Sequence, residues 1–453
     1  MERPRILIVG GGFAGVECAR VLEHRLGVRE AELTLITPFS YQLYLPLLPQ
    51  VTSGVLTPQS VASPLRRVLR RTTIVPGGVI GVDTAERACV VRLITDEVVL
   101  RHYDYLVFTP GSVTRRFDIP GLTRHASGVK TLAEAAYIRD HVIAQLDLAA
   151  ATTDPAERAA RLQFVVVGGG YAGTETVACL QRLTNSAASR YPGLDPSLIT
   201  WHLLDVAPRL MPELGERLGQ KALEILTRRG TDVTLGVSVA EVGDGYIRLT
   251  NGTVLNSHTL IWTAGVAASP LVSTLEAETV RGRLAVNADL TVPGLPGVFG
   301  LGDAAAVPDL SSGSDAVCPP TAQHAARQGR HAARNIVATL RGGPTVPYRH
   351  RDLGLVVDLG GTDAVANPLG VELSGLPAQA VARGYHLMEL RSGTAKFRTV
   401  ANWLLNAATG DDFLRTGFLM RRTGLDDFEY TDAYLSPDRT RELVAENVRS
   451  VAT

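Results

Sequence analysis

Lysine, cysteine, net charge and long apolar runs are all scarce in this chain, and each shortage removes a class of function. Only Lys130, Lys221 and Lys396 occur in 453 residues, so positive charge is carried almost wholly by arginine, a pattern consistent with high-GC coding. Lys+Arg and Asp+Glu each number 45, giving a formal charge of zero. That balance excludes the basic signature of a nucleic-acid binder and the acidic signature of a solvating tail. The four cysteines, Cys18, Cys89, Cys179 and Cys318, lie far apart with no C-x-x-C pair and no ligand spacing. A disulfide framework, a dithiol centre and a zinc site are therefore not expected, and a reducing cytoplasm fits. No run approaches the roughly 18 apolar residues of a spanning helix, so any membrane contact should be peripheral. The opening Met-Glu-Arg-Pro-Arg leads directly into Ile6–Val9, so no secretory leader is expected.

Glycine is the residue in surplus. Forty-four in 453 is about one in ten, against a usual value of about 7%. The excess is placed. Ile6–Val9 reads as a buried strand, Gly10-Gly11-Gly12-Phe13-Ala14-Gly15 as a tight turn and Val16–Leu22 as a helix. The same series returns in Phe164–Val167, Gly168-Gly169-Gly170-Tyr171-Ala172-Gly173 and Thr174–Leu180. A single G-x-G-x-x-G is weak evidence, but two copies, each between a strand and a helix, predict two dinucleotide-binding units. In each, the first glycine permits the turn, the second lets a pyrophosphate approach the backbone and the third lets helix and strand pack closely. The helix N-terminus then offers free N–H groups and the positive dipole end.

The strand after such a turn usually ends in an acid that accepts hydrogen bonds from the adenosine ribose. In the second unit Asp205 holds that position and favours NADH over NADPH, with Arg209 keeping NADPH as the minority alternative. In the first unit the strand ends at Thr37-Pro38, where Thr37 offers only a hydroxyl. Two further strands end in glycine turns, at Thr109-Pro110-Gly111 and Thr263-Ala264-Gly265, and read as a pair. A third Gly-turn, Gly300-Leu301-Gly302, is followed directly by Asp303. Between the units Leu132, Ala135, Ala136, Arg139, Val142, Ile143 and Leu146 recur at helical spacing, and Asn185–Pro196 reads as a loop.

This set resembles the flavoproteins with two dinucleotide-binding domains, and within them the type II NADH dehydrogenases, the single-subunit NADH:quinone oxidoreductases. The more specific support is Leu45-Pro46-Leu47-Leu48-Pro49-Gln50-Val51, Gly173-Thr174-Glu175, and Pro319-Pro320-Thr321-Ala322-Gln323-His324-Ala325-Ala326-Arg327-Gln328-Gly329. The last is similar to an A-Q-x-A-x-Q-x-G helix start beside the flavin, with Arg327 where a second Gln is common. The resemblance covers roughly residues 5 to 410. It implies an α/β fold with two Rossmann-type domains, FAD on the first and NADH on the second, and a smaller C-terminal domain. The expected boundaries are 1–115 with 285–345 for the FAD domain, 116–284 for the NAD(P)H domain and 346–453 for the third. FAD is expected against Gly10, Gly12, Phe13, Ala14, Gly15, Thr37, Pro46, Val79, Thr109, Gly111, Gly302, Asp303, Ala322 and Gln323. NADH is expected against Gly168, Gly170, Tyr171, Ala172, Gly173, Glu175, Asp205, Ala264 and Gly265. Glu175, Gln323 and Arg327 are the expected catalytic residues, with a quinone or quinone-like acceptor near the last two.

Pro319-Pro320-Thr321 predicts a helix start with Thr321 as N-cap. His324 and His331 should share that helix's face as packing or surface residues, and Cys18 and Cys179 should fill core. In the tail Phe397, Val400, Trp403, Leu404, Phe413, Leu414, Phe418, Leu419 and Met420 stand among Arg415, Arg421 and Arg422. An apolar face rimmed by arginine suits the cytoplasmic face of a bacterial inner membrane, and a homodimer face or burial against the nucleotide domains are the alternatives. Three other functions share the scaffold. One is a sulfide:quinone oxidoreductase, for which Cys179 and Cys318 are the available cysteines. The others are a reductase of a soluble or protein acceptor, and an NADH-responsive flavoprotein for which turnover is incidental.

Overall fold

In the computed structural model, residues 3–312, 316–350, 353–417, 424–425 and 434–451 are described. The first glycine turn joins β1 (Arg5–Val9) to α1 (Phe13–Arg25), and β2 (Glu32–Thr37) follows. Then come β3 (Thr73–Asp83), β4 (Ala88–Leu93), β5 (Val98–His102) and β6 (Tyr105–Phe108). These form one sheet in the order β6-β1-β2-β3-β4-β5, with the late strand Val298–Gly300 on the outer side of β6. Strands from Val298–Gly300 through β3 run parallel, and β4 and β5 return antiparallel. Ile6 to Val9 and Leu106 to Phe108 are fully buried, as expected of central parallel strands covered on both faces.

The second unit repeats the plan. After α2 (Leu132–Ala151), β7 (Gln163–Val167) leads through the second turn into α3 (Tyr171–Ala188), then β8 (Thr200–Asp205), β9 (Thr231–Leu235) and β10 (Thr259–Trp262). The order β10-β7-β8-β9 is wholly parallel and copies β6-β1-β2-β3. Register is copied too: Val9 faces Ile36 and Phe108, while Val167 faces Leu204 and Trp262. Helix α3 runs four residues, Asn185 to Ala188, into the stretch expected as loop. Helix α2 opens on a capping box, in which Thr131 Oγ1 accepts the Glu134 N–H at 3.1 Å and Glu134 accepts the Thr131 N–H at 2.7 Å.

Residues 270–284, expected in the second unit, pack elsewhere: Leu271, Val272, Leu275 and Leu284 lie in the core of the first. The C-terminal region likewise divides. After α4 (Ala322–Leu340), a small antiparallel sheet of β11 (Val356–Asp358), β12 (Ala364–Ala366) and β13 (Leu373–Ser374) carries α5 (Leu376–Glu389), and α6 (Gly393–Thr409) follows. Helix α7 (Pro437–Val451) instead returns to the first unit, where Val444 packs with Ile80, Ala88 and Val90, and the Leu435 N–H donates to Ile80 O at 2.8 Å.

Glu17, on α1 and 2% exposed, joins three elements. It accepts from Arg20 at 2.8 Å, Arg330 of α4 at 2.7 Å and Arg391, between α5 and α6, at 2.6 Å. Burial pushes its carboxyl up, but Arg391, Arg330 and Arg20 outweigh that and hold it below the usual glutamate value.

Candidate functional site

The two glycine turns have the same geometry. Gly10 and Gly168 take φ of 101° and 115°, open to glycine at no steric cost. Gly15 and Gly173 each sit where an added methyl would overlap the carbonyl oxygen of the first glycine and crowd a threonine hydroxyl, Thr109 Oγ1 at 2.8 Å or Thr263 Oγ1 at 2.5 Å. Those threonines start the two paired turns. Each donates to the strand below it, Thr109 to Val9 O at 2.6 Å and Thr263 to Val167 O at 2.8 Å. The segments just beyond them, Ser112–Thr114 and Val266–Ala268, pair antiparallel. The middle glycines of both turns, Gly12 and Gly170, face open space and cap their helices with bare backbone. Thr37 lies against the first turn as Asp205 lies against the second. Asp205 accepts the Gly169 N–H and, at 2.7 Å, the Ala207 N–H.

One cavity of about 660 Å³ joins the two units. It is lined by Gly10–Ala14, Thr37 and Gly77–Val79, by Pro46, Thr109, Gly111, Gly302 and Asp303, and by Tyr171, Ala172, Glu175, Ala322, Gln323, Leu355, Val381, Tyr385 and His386. Thus Gly10, Gly12, Phe13, Ala14, Thr37, Pro46, Val79, Thr109, Gly111, Gly302, Asp303, Ala322, Gln323, Tyr171, Ala172 and Glu175 all line it. Gly15 and Gly173 act behind the wall as close-packing positions, and Gly168, Gly170, Asp205, Ala264 and Gly265 surround the second turn outside the cavity.

Asp303 is held from the side. Ser112 Oγ donates to its carboxylate at 2.7 Å and receives Lys130 Nζ at 2.8 Å, so one of the three lysines stands on the cavity wall. The Gly302 N–H donates to Gln328 Oε1 at 2.8 Å, and Gly329 meets the backbone of α1 at Ala14 and Cys18. Gln328 and Gly329 therefore lock α4 to the Gly-Asp turn. Thr321 caps α4 as predicted, accepting the His324 N–H at 3.3 Å. The first-turn N–H groups of Ala322 and Gln323 have no helical acceptor, and both residues face the cavity.

Arg327 corrects an expectation. It does not line the cavity, and its Nη1 meets His350 Nδ1 at 3.3 Å. His350 stacks on His324 with ring centroids 3.8 Å apart. His324 is buried packing, as expected, and His331 donates Nε2–H to Val346 O at 2.6 Å. Glu175 is 7% exposed and accepts the Asp358 N–H at 2.8 Å. Burial pushes its carboxyl well above the usual value; the Asp358 N–H opposes that, and the Asp358 carboxylate adds to it. Asp358 is raised too, chiefly by burial, and accepts from Gln50 at 2.9 Å and Gln379 at 3.0 Å, while Gln50 accepts Trp403 Nε1–H at 2.7 Å. All four cysteines are buried and unbridged, and burial raises every thiol, Cys318 to about 11. Such thiols are inert at neutral pH, which removes the support for a sulfide-oxidising cysteine pair. Among the described residues no cluster of three potential metal ligands occurs.

Residues 4–329 match the family described as pyridine nucleotide-disulphide oxidoreductase. The chain is 31% identical over 419 residues to the type II NADH:quinone oxidoreductase Ndh of Mycobacterium tuberculosis, covering 89% of this chain and 88% of that protein. It is 28% identical over 382 residues to the type II NADH:quinone oxidoreductase of Staphylococcus aureus, covering 83% and 92%. Among solved structures, NDH2 of Plasmodium falciparum in complex with NADH superposes with a TM-score of 0.84 at 18% identity, over 91% of this chain and all of that one. The sulfide:quinone oxidoreductase of Aquifex aeolicus gives 0.66 at 16% identity, over 90% and 96%.

Proposed function

The chain belongs to the pyridine nucleotide-disulphide oxidoreductase family and, within it, to the type II NADH:quinone oxidoreductases, and from that premise we propose that it holds FAD on its first unit and oxidises NADH bound on its second. Bound there, FAD would supply two-electron chemistry, hydride transfer from NADH and delivery of the electrons to a quinone. The observation that carries the reading is that one cavity is walled by both glycine turns, at Phe13-Ala14 and at Tyr171-Ala172.

The residues present fit the group. The bare N-terminus of α1 and the open space over Gly12 suit a pyrophosphate. Gly77, Gly78 and Val79 form a side-chain-poor wall beside Thr37 that suits an adenosine. Asp303, steadied by Ser112 and Lys130, is an acceptor for sugar-chain hydroxyls. The N–H groups at the start of α4 and the positive end of its dipole favour electron density gathered at the cavity's end, by roughly 0.3–2 kcal/mol. Asp205 against the second turn supports NADH rather than NADPH, since a carboxylate there repels a 2′-phosphate. Glu175, favouring its protonated form, is a proton donor at the junction of the two units.

Val381, Tyr385 and His386 of α5 form part of the cavity wall, and the following helix α6 presents Phe397, Leu404 and Leu405 at 73%, 67% and 60% exposure. With exposed Leu414, and with Arg398 and Lys396 on the same helix, this supports a peripheral contact with the cytoplasmic face of a membrane, where a lipid-soluble quinone would reach the cavity. No helix among the described residues is long and apolar enough to cross one. Phe418, Leu419, Met420, Arg421 and Arg422 lie outside the described residues. The test is spectroscopic: the purified protein should be yellow, bleach with NADH under anaerobic conditions and regain colour on adding a quinone. A protein that cannot be loaded with FAD would sink the proposal.

A further inference from the structure

His386, on α5, is 5% exposed yet lines the acceptor end of the cavity. Its Nδ1 lies 3.0 Å from the hydroxyl of Tyr44. Tyr44 comes from the segment between β2 and β3, 342 residues away, is itself buried, and lies behind the cavity wall. It is fixed in place, edge-on to the rings of both Phe13 and His386. Its hydroxyl hydrogen has no other acceptor among the described residues, so the tyrosine must donate and His386 Nδ1 must accept. That fixes the tautomer: in the neutral ring the proton sits on Nε2. Burial favours the neutral ring, bringing its pKa down to about 4. Nε2 has no partner among the described residues, while the same wall carries Gln323, whose amide lies 3.5 Å from Tyr385 Oη.

We propose that His386 binds the electron acceptor directly, its Nε2–H donating to a carbonyl oxygen of the quinone, with Tyr44 as the positioning residue that sets the tautomer. An uncharged donor in an apolar pocket selects a neutral dione over an anionic acceptor, because nothing in the donor compensates the buried charge. The proposal rests on the quinone reading above and adds the group that grips the substrate.

The test uses the flavin-loaded protein and a water-soluble ubiquinone analogue. His386→Leu should raise the quinone KM by roughly tenfold or more, as expected for a lost buried hydrogen bond, and His386→Gln, which keeps an N–H donor, should recover most of the affinity. NADH-driven bleaching and ferricyanide reduction, which need no carbonyl contact, serve as controls for fold and flavin. His386→Met replaces the leucine variant should that protein fail to load flavin. Histidine-selective 15N spectra report Tyr44: the Nδ1 resonance should carry the signature of a hydrogen-bond acceptor and lose it in Tyr44→Phe. Equal quinone KM in wild type and the donorless variants overturns the proposal alone. A wild type that bleaches with NADH but is reoxidised by no quinone overturns the quinone reading and this inference with it.

Discussion

Replacing Gly173 by alanine tests whether the duplicated turn divides two nucleotides between two units. The added methyl would overlap Gly168 O and lie 2.5 Å from Thr263 Oγ1. Neither atom can yield alone, because Gly168 is fixed by its donation to Leu204 O at 2.8 Å and Thr263 by its bond to Val167 O. Helix α3 must therefore shift away from β7, taking with it the N–H groups aimed at the pyrophosphate. Overpacking of this kind costs about 1–3 kcal/mol, which corresponds to NADH affinity weakened by roughly 5- to 150-fold if the whole cost falls on binding. Flavin content should be unchanged, since the Gly10–Gly15 turn belongs to another sheet. The mirror variant Gly15→Ala should lose flavin instead, with its methyl meeting Gly10 O and Thr109 Oγ1. The assays are NADH titration of the oxidised protein under a slow acceptor and the ratio of flavin to protein absorbance. Unchanged NADH affinity in Gly173→Ala, or equal flavin loss in both variants, would refute the division of labour.

Three other outcomes are expected. Glu17→Gln should destabilise the protein by about 3 kcal/mol, the scale for removing one partner of a buried ion cluster. Because the folded Glu17 carboxyl is held below its unfolded value, its contribution is present above pH ~4.5 and lost as pH falls through the folded value, so melting temperatures of wild type and variant should converge in acid; parallel curves would count against it. Glu175 has the opposite sign: its folded pKa is raised, so wild-type stability should fall as pH climbs above ~4.5 towards that value, while Glu175→Gln, which keeps the acceptor for the Asp358 N–H, should flatten this slope. An unaltered slope would remove the buried-acid assignment. Finally, Phe397→Asp with Leu404→Asp should abolish cosedimentation with phosphatidylglycerol-containing vesicles while NADH:ferricyanide activity persists, and retained sedimentation would place the membrane contact elsewhere.

Much of the first and second units was legible because their chemistry is local. A glycine turn needs its three glycines within six residues, next to a strand and a helix, and both the Thr109–Gly111 and Thr263–Gly265 turns carry the same local mark. The acceptor end is different. Tyr44 meets His386 and Gln50 meets Asp358 across 342 and 308 residues, and nothing in their sequence neighbourhoods distinguishes them from ordinary core side chains. Arg327 was misplaced by reading a helix as a motif. The A-Q-x-A-x-Q-x-G pattern gives spacing along α4, but the close approach of Gly329 to α1 decides which face meets the cavity, and Gln328 takes the inner position. The extreme C-terminus was illegible for a related reason. Helix α7 buries Thr440 and Val444 while its neighbours stay largely exposed, too thin a stripe to name a partner some 350 residues upstream.

That return has a consequence for biogenesis. The hairpin of β3 and β4 that α7 covers belongs to the unit that is synthesised first, yet Ile80, Ala88 and Val90 acquire their last apolar partner only when Val444 has been made. The first unit is thus assembled from segments some 350 residues apart, with the second unit inserted between them, and this apolar cluster is complete only once α7 has been made.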